Sequence, residues 1–570
     1  MKRFFSSVLL LVACLASASG GNALETGANA HAKFQRRYIL VFANMSRAAD
    51  REKLLNIAKR ASAAGYNGIM LGSRAGEYID LWNHPPREGY AETLAEIRQE
   101  MDALHLALIP YALSPNEVGY AAPELSEAIP CKETPFRIHG KIAEMDTAPE
   151  PLLKNPGFEE HDGNSPQAWG HDKAGVITFI DNQVTHGGHA SVRIQDTAGG
   201  DPKNGHGRLW QDVQVAPFRA YEFSIWLKTK DLPEAHSMQF YFEGTDGGQP
   251  MVYANRENGF GAPIKATQDW TKYTIHFNSA SNRKLSLYLG IWSTQSHGTL
   301  WLDDADLHEV GLFHTVRRNS LPITVTSADG AQVYEEGRDY AVKEQRLEIS
   351  NSSRISDGAP LHVTWYQRAE MIGPPFANAS HEKYFEVERS IAQKLDNLFG
   401  RPPGFMMTFD EWRIANWDPA SGQISAGEYM AQTVRKTTEM LRQINPHYEL
   451  FVWSDMFDPN ENALKKYFMC NGPLTDSWKG LSKDTTVVTW DGGAKALKFF
   501  SDLGLRQMIG GYYSSMPNVK EWLDHLAEVE AQGATGIDGF MYTTWDDNFT
   551  DIEKVAETLR QTGRWPDATK

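Results

Sequence analysis

The chain reads as an α/β protein: a (β/α)8 TIM barrel interrupted by an all-β region in its third βα loop. Three observations predict this. Short apolar runs alternate with amphipathic helical segments at both ends of the sequence, those runs number eight, and the periodicity between the two halves changes to strict alternation. At 570 residues the chain is too long for one ordinary domain.

The first apolar runs lie at 38–44, 68–72 and 106–112 and end in polar or Gly-rich sequence. Between them, 51–64 carries Leu54, Leu55, Ile57, Ala58 and Ala61 at helical spacing and stops at Gly65. The segment 90–104 repeats the design with Leu94, Ile97 and Met101. The alternation returns late in the chain, with runs at 404–409, 449–454, 486–490, 507–513 and 539–544 and helical patterns at 381–397, 427–444, 494–503, 519–532 and 552–559. Three runs before the interruption and five after it make eight, the number that closes a parallel barrel.

From 130 to 371 the sequence alternates instead, as in Tyr221-Glu-Phe-Ser-Ile-Trp-Leu and Trp270-Thr-Lys-Tyr-Thr-Ile-His-Phe, with Gly, Asn and Asp turns. The expected organisation is a signal peptide at 1–23, a first barrel part at 36–130, an inserted sandwich at 131–310, a small β unit at 311–371 and the second barrel part at 372–570. The small unit, with Leu321-Pro-Ile-Thr-Val-Thr and Tyr334-Glu-Glu-Gly-Arg-Asp-Tyr, carries no recognisable chemistry.

Met1-Lys-Arg, an apolar stretch over 4–15 and the small residues Ala16-Ser-Ala18 make an export signal, which predicts a secreted or periplasmic protein. That stretch is too short to span a bilayer, and no later segment reaches the length, so no transmembrane helix is expected. Leu11-Val-Ala-Cys14 resembles a bacterial lipobox, in which Cys14 would carry a lipid anchor. Cys131 and Cys470 then remain, enough for one bridge and no framework. The formal charge of -16, from 56 Lys plus Arg against 72 Asp plus Glu, repels phosphate backbones and excludes nucleic acid as a natural partner.

In a barrel of this kind, active-site groups sit at the C-terminal ends of the strands. Here those ends bring Asn44, Arg74, Asp410 and Glu411, Trp453 and Asp455, Trp490 and Asp491, Tyr512 and Tyr513, then Trp545 and Asp546. Aromatic and carboxylate side chains recur together on separate strand ends, a combination that grips hydroxyls while walling a sugar ring. The run Thr408-Phe-Asp-Glu-Trp-Arg413 is the most informative: two adjacent carboxyls follow a buried-strand signal and precede Trp412. No HExxH or Cys/His cluster, no G-x-S-x-G and no phosphate loop is present, which leaves acid and base work to carboxylates and needs no catalytic cofactor.

Two resemblances follow from these residues. Asn155-Pro-Gly-Phe-Glu159, Trp169, the central Trp226-Leu-Lys and the closing Trp301-Leu-Asp-Asp-Ala-Asp-Leu resemble the jelly-roll carbohydrate-binding modules related to families 4, 9 and 22. The resemblance implies a structural calcium held by Glu159 and Asp304. Trp226, Trp270 and Trp301 are expected in the core, leaving Trp210 and Trp292 as candidates for sugar stacking.

The barrel resembles the substrate-assisted family 20 β-N-acetylhexosaminidases and, more loosely, family 84. It has Asp-Glu at strand four and Gly510-Gly-Tyr-Tyr-Ser-Ser at strand seven, where retaining glycosidases of the larger clan carry a nucleophilic Glu. The resemblance implies Glu411 as general acid, Asp410 orienting an acetamido nitrogen, Tyr513 or Tyr512 binding its carbonyl, and Trp545 with Asp546 at the rim. Arg74, Trp453, Asp455, Trp490 and Asp491 would bind the sugar, and the substrate would be an oligosaccharide or polysaccharide. The sequence departs from family 20 in having Met407-Thr-Phe, without Gly, before the pair. Two alternatives stay open: Asp455, Asp491 or Asp546 as nucleophile or base on a non-acetylated or uronic sugar, and a barrel that captures glycans without cleaving them.

Overall fold

The computed structural model describes residues 33–73, 77–146, 151–197, 206–232, 238–244, 250–255, 263–293, 297–343, 345–369 and 376–567. The export signal, Cys14 and Arg74 lie outside the described residues.

Eight parallel strands close a barrel: Arg36–Ala43, Gly68–Ser73, Ala107–Tyr111, Gly404–Met406, Glu449–Trp453, Thr485–Thr489, Arg506–Tyr512 and Ile537–Thr543. The last pairs with the first, Tyr38 opposite Met541, and so closes the ring. Strand alternation sends Tyr38, Leu40, Met70, Ile109, Met406, Phe451, Val488, Met508 and Met541 into the barrel interior. Ile39, Val41, Ile69, Leu71, Val452 and Ile509 face the helices instead. The predicted helices form at Ala48–Ala64, Tyr90–Ala103, Glu382–Leu398, Ala426–Ile444, Gly493–Asp502, Met516–Ala531 and Ile552–Gln561. Gly65 caps the first of them at φ 93, the left-handed turn that glycine takes without a Cβ clash. Two further short helices, Glu77–Asn83 and Pro115–Ala121, carry too few turns for an apolar stripe to show in the sequence.

The inserted region holds two β bodies, with boundaries that differ from those expected. Five-stranded sheets of a jelly-roll sandwich face each other across Phe223, Ile225, Phe240, Phe242, Leu287 and Leu289. Residues 128–145 do not belong to this sandwich. Strand Ala128–His139 pairs with Pro360–Arg368 across more than two hundred residues and forms a seven-stranded sheet with Ile142–Met145 and the strands between 324 and 349. The small β unit is thus split by the jelly roll, not placed after it. Both bodies alternate with the same period, so the sequence marks the strands and leaves their partners open.

Cys131 and Cys470 are buried and free, in different bodies, so no bridge joins them. Among the described residues no helix is long and apolar enough to cross a membrane.

Candidate active site

The fourth barrel strand stops at Met406, three residues before its apolar run ends. Thr408, Phe409 and Glu411 turn into the left-handed region at φ 58, 61 and 41. That turn releases Asp410 and Glu411 from strand alternation, under which neighbours would face opposite sides. Both then line one pocket of about 310 Å³ with Trp453, Trp490, Tyr513 and Trp545.

The pocket stands on an aromatic floor at the barrel mouth. Phe42 packs edge-on to Tyr111 at 5.2 Å and lies 5.7 Å from Trp545, which is 5.9 Å from Trp453. The Trp453 indole N–H donates to the Tyr111 hydroxyl at 3.0 Å. A Cβ at Gly72 would come within 2.4 Å of the Phe42 ring, and one at Gly510 within 3.0 Å of Trp453. Glycine at these positions makes room for the rings. On the wall, Trp490 and Tyr513 stack at 5.5 Å and 19°.

The two carboxyls have different surroundings. Burial, with the charge of Glu411 beside it, pushes the Asp410 carboxyl up to about 6 against the opposing effects of a backbone hydrogen bond and Arg413. Glu411 makes an ion pair with Arg413, whose guanidinium also lies 5.5 Å from the Phe468 ring. Burial raises the Tyr513 phenol above its ordinary value.

Other expected site residues fall elsewhere. Tyr512 is fully buried, turned away from the pocket, stacked on Tyr542 at 4.1 Å and donating to Asp551 at 2.9 Å. Tyr512 ends the strand, and a run of left-handed backbone over Tyr512, Tyr513 and Ser514, at φ 86, 44 and 56, turns Tyr513 onto the pocket wall. Asp455 is fully buried beneath the carboxyl loop and accepts the Glu411 backbone N–H at 3.0 Å. Burial, then repulsion from Asp410, pushes it up to about 8. Asp546 caps its own loop, accepting from Thr544 at 2.6 Å, Asn548 N–H at 3.2 Å and the Ser514 hydroxyl. Asp491 is exposed beside the pocket and accepts the Gly492 N–H at 2.8 Å. Asn44 is buried and holds the turn after the first strand. Trp412 is buried behind the loop against Phe409 and Tyr429. Phe42, Tyr111 and Arg413 were not among the expected residues. Arg413 stood inside the motif, where a basic residue two positions past an acid is the available signal.

In the jelly roll, Trp301 is buried and donates to Asp181 at 3.0 Å. Trp226 and Trp270 are only half-buried, with His186 stacked on Trp226 at 3.8 Å, because their strands have one face to solvent. On the other sheet, Tyr241 stacks on Tyr288 at 4.9 Å and lies 5.4 Å from Trp292, an aromatic face beside Arg208. Trp210 stands on the same strand as Arg208 and covers Gly170, where a Cβ would lie 2.1 Å from its ring. Glu159 and Asp304 both face the 186–190 turn. Glu159 accepts the His189 N–H at 2.9 Å, and Asp304 contacts the His186 ring at 2.6 Å. Gly187 and Gly188 let that turn approach both carboxylates. Two hard-oxygen groups facing one turn suit calcium in kind, while among the described residues no group of three acidic, His or Cys side chains is placed to hold a metal.

Residues 150–296 match a family model described as carbohydrate binding domain. A comparison with curated protein sequences finds no match. Among solved structures, the CBM22-1 xylan-binding domain from Paenibacillus barcinonensis is similar at 20% identity and TM-score 0.19, over 28% of this chain and 95% of its own. The arabinose-bound MgGH51 α-L-arabinofuranosidase is similar at 9% identity and TM-score 0.22, over 69% of this chain and 71% of its own. The enzymatically active domain of tailspike protein 4 from bacteriophage CBA120 is similar at 12% identity and TM-score 0.22 over 28% of this chain, which spans only 21% of that domain. At such identities and scores these likenesses carry nothing about activity.

Proposed function

We propose that this protein is an exported glycoside hydrolase that removes β-linked N-acetylhexosamine from glycans by substrate-assisted, retaining catalysis. The observation that carries the reading is two adjacent carboxyls, one raised by burial and one paired with an arginine, sharing one aromatic-walled pocket at the barrel mouth with a tyrosine. Glycoside hydrolysis needs one protonated carboxyl to donate to the leaving oxygen and a negative group to offset the charge that develops on the sugar.

Asp410, raised to about 6, is the group that holds a proton in mildly acid solution. It donates that proton to the glycosidic oxygen as the C–O bond breaks and the 2-acetamido oxygen bonds to the anomeric carbon. Glu411, paired with Arg413, accepts the acetamido N–H and stabilises the oxazolinium. The Tyr513 phenol donates to the acetamido oxygen and orients it. Water then adds to the anomeric carbon as its bond to the acetamido oxygen breaks, which restores the acetamido group; the water returns a proton to Asp410, and the two inversions leave the configuration retained. Trp453, Trp490 and Trp545 wall the ring. The family resemblance implies the reverse assignment, with Glu411 as acid; the burial that raises Asp410 favours Asp410 in that role.

For the reading that uses a second aspartate, Asp455 is closed to solvent and Asp546 is spent on its own loop, which leaves Asp491, exposed beside the pocket, as its candidate. The module at 150–296 would hold glycan on its Tyr241, Tyr288 and Trp292 face, and calcium would bind at Glu159 and Asp304. Rates on matched aryl β-glycosides with and without a 2-acetamido group test the mechanism. Turnover restricted to the acetamido substrates is expected; equal turnover on both would remove substrate assistance, and none on either would remove the hydrolase.

A further inference from the structure

The loop that carries Asp410 and Glu411 does not keep its shape by backbone preference. Thr408, Phe409, Glu411 and Asn416 lie at φ 58, 61, 41 and 66, where a side-chain-bearing residue costs about 1–2 kcal/mol. Such a backbone persists only when its surroundings over-determine it. Two buried side chains from outside the barrel supply part of that constraint.

Glu127, 1% exposed, immediately precedes the inserted strand Ala128–His139. Its carboxylate accepts the backbone N–H of Asn416 at 2.8 Å and of Trp417 at 3.2 Å, and the Asn378 side-chain amide at 2.8 Å. Arg318 lies in the segment that leaves the jelly roll for the seven-stranded sheet. It grips the fully buried Asp418 through Nε at 2.9 Å and Nη2 at 2.6 Å. Its Nη1 donates to the Glu124 and Ser126 carbonyls at 2.9 Å each. Ser320 adds a hydrogen bond to Asp418 at 3.1 Å. Burial alone would raise the Asp418 carboxyl, but hydrogen bonds from His381 and Ala420, with the Arg318 charge, hold it at about 2. The jelly roll touches the same stretch, with Phe218 edge-on to Trp417 at 6.4 Å.

These bonds reach the loop backbone and Asp418 within seven residues of Glu411, not the barrel helices. We propose that Glu127 and Arg318 are positioning residues for the Asp410–Glu411 pair, so that the loop keeps its working shape only while the inserted β region is seated on the barrel. The kinetic consequence rests on the hydrolase reading, whereas the loop's dependence on the two side chains does not.

The test uses Arg318→Gln, Glu127→Gln and Arg318→Lys in the full chain. The readouts are kcat and KM on glycosides with good and poor leaving groups, the melting temperature, and amide hydrogen exchange over 407–418. Gln at either position is expected to lower kcat about 10- to 100-fold with KM within about twofold, because displacement of reacting groups by about 1 Å costs rates of that order. The loss should be larger with the poor leaving group. Loop amides should exchange about tenfold faster while the barrel strands keep their protection. Arg318→Lys, which keeps the charge without the planar fork, should fall between, and it carries the comparison if a Gln variant does not fold. Variants that melt as the parent does, with kcat within about twofold and the loop as protected as before, would overturn the inference. If the unaltered chain cleaves no glycoside, the hydrolase reading fails and exchange alone decides: faster exchange confined to the loop supports the clamp, and unchanged exchange overturns it.

Discussion

Asp410 and Glu411 are adjacent and chemically alike, and the pocket separates them through their neighbours. Burial raises Asp410, and Arg413 pairs with Glu411. Tyr513 and Tyr512 make the same point in reverse: identical residues, one on the pocket wall and one locked under Asp551. Tyr513→Phe is expected to lower kcat/KM on 2-acetamido glycosides by about 10²- to 10³-fold, since one donor to developing charge is worth that much. The ring would still stack on Trp490, so the melting temperature should hold. Tyr512→Phe should leave the rate alone and cost about 1 kcal/mol of stability through the lost Asp551 bond. A pair of variants behaving the other way round would exchange the two tyrosines. The sequence placed a tyrosine at this strand end and left its choice open, because which of two neighbours faces inward depends on where the strand stops. The same limit hid Arg413, whose partner is set by a left-handed turn at Glu411 that no local preference announces.

At the level of elements, alternation and helical spacing located the barrel strands and their main helices, because each carries a continuous apolar face. What they did not locate was pairing across long separations. Ala128–His139 finds its partner Pro360–Arg368 only in the folded chain. The jelly-roll turn at 186–190 also allows a direct test. Calcium at about 100 times its dissociation constant should stabilise the sandwich by about 2.7 kcal/mol, and chelation or Glu159→Gln should abolish that gain. A melting temperature indifferent to calcium in the parent would remove the ion from the account. On the opposite sheet, Trp292→Ala should weaken retention on polysaccharide by about tenfold, the usual effect of removing a central aromatic contact. Unchanged retention would move the binding face elsewhere.

Across the whole molecule, buried acids give stability a definite pH dependence. Burial, more than any partner charge, raises Asp455 to about 8, Glu388 to about 8, Glu117 to about 7 and Glu461 to about 9. For each, the folded state binds more protons than the unfolded state between the ordinary carboxyl value near 4 and the raised value. Stability from these groups is therefore complete at the acid end of that window and lost as pH rises through it. Asp418 runs the other way, contributing above about 4 and losing its share as pH falls toward 2. The melting temperature should thus peak near pH 5 and fall steadily to pH 9; a profile flat from 5 to 9 would mean that these acids titrate normally. The eight-stranded ring and the rings at its mouth gather the candidate chemistry into one place, and the central claim is that the carboxyl pair there cleaves glycosidic bonds with Asp410 as the acid. The most direct measurement compares Asp410→Asn and Glu411→Gln on glycosides of graded leaving-group ability. Asp410→Asn should lose about 10²- to 10⁴-fold on poor leaving groups and recover on good ones, while Glu411→Gln loses activity on all of them. Recovery in Glu411→Gln alone would reverse the two roles, and full activity in both variants would contradict the account.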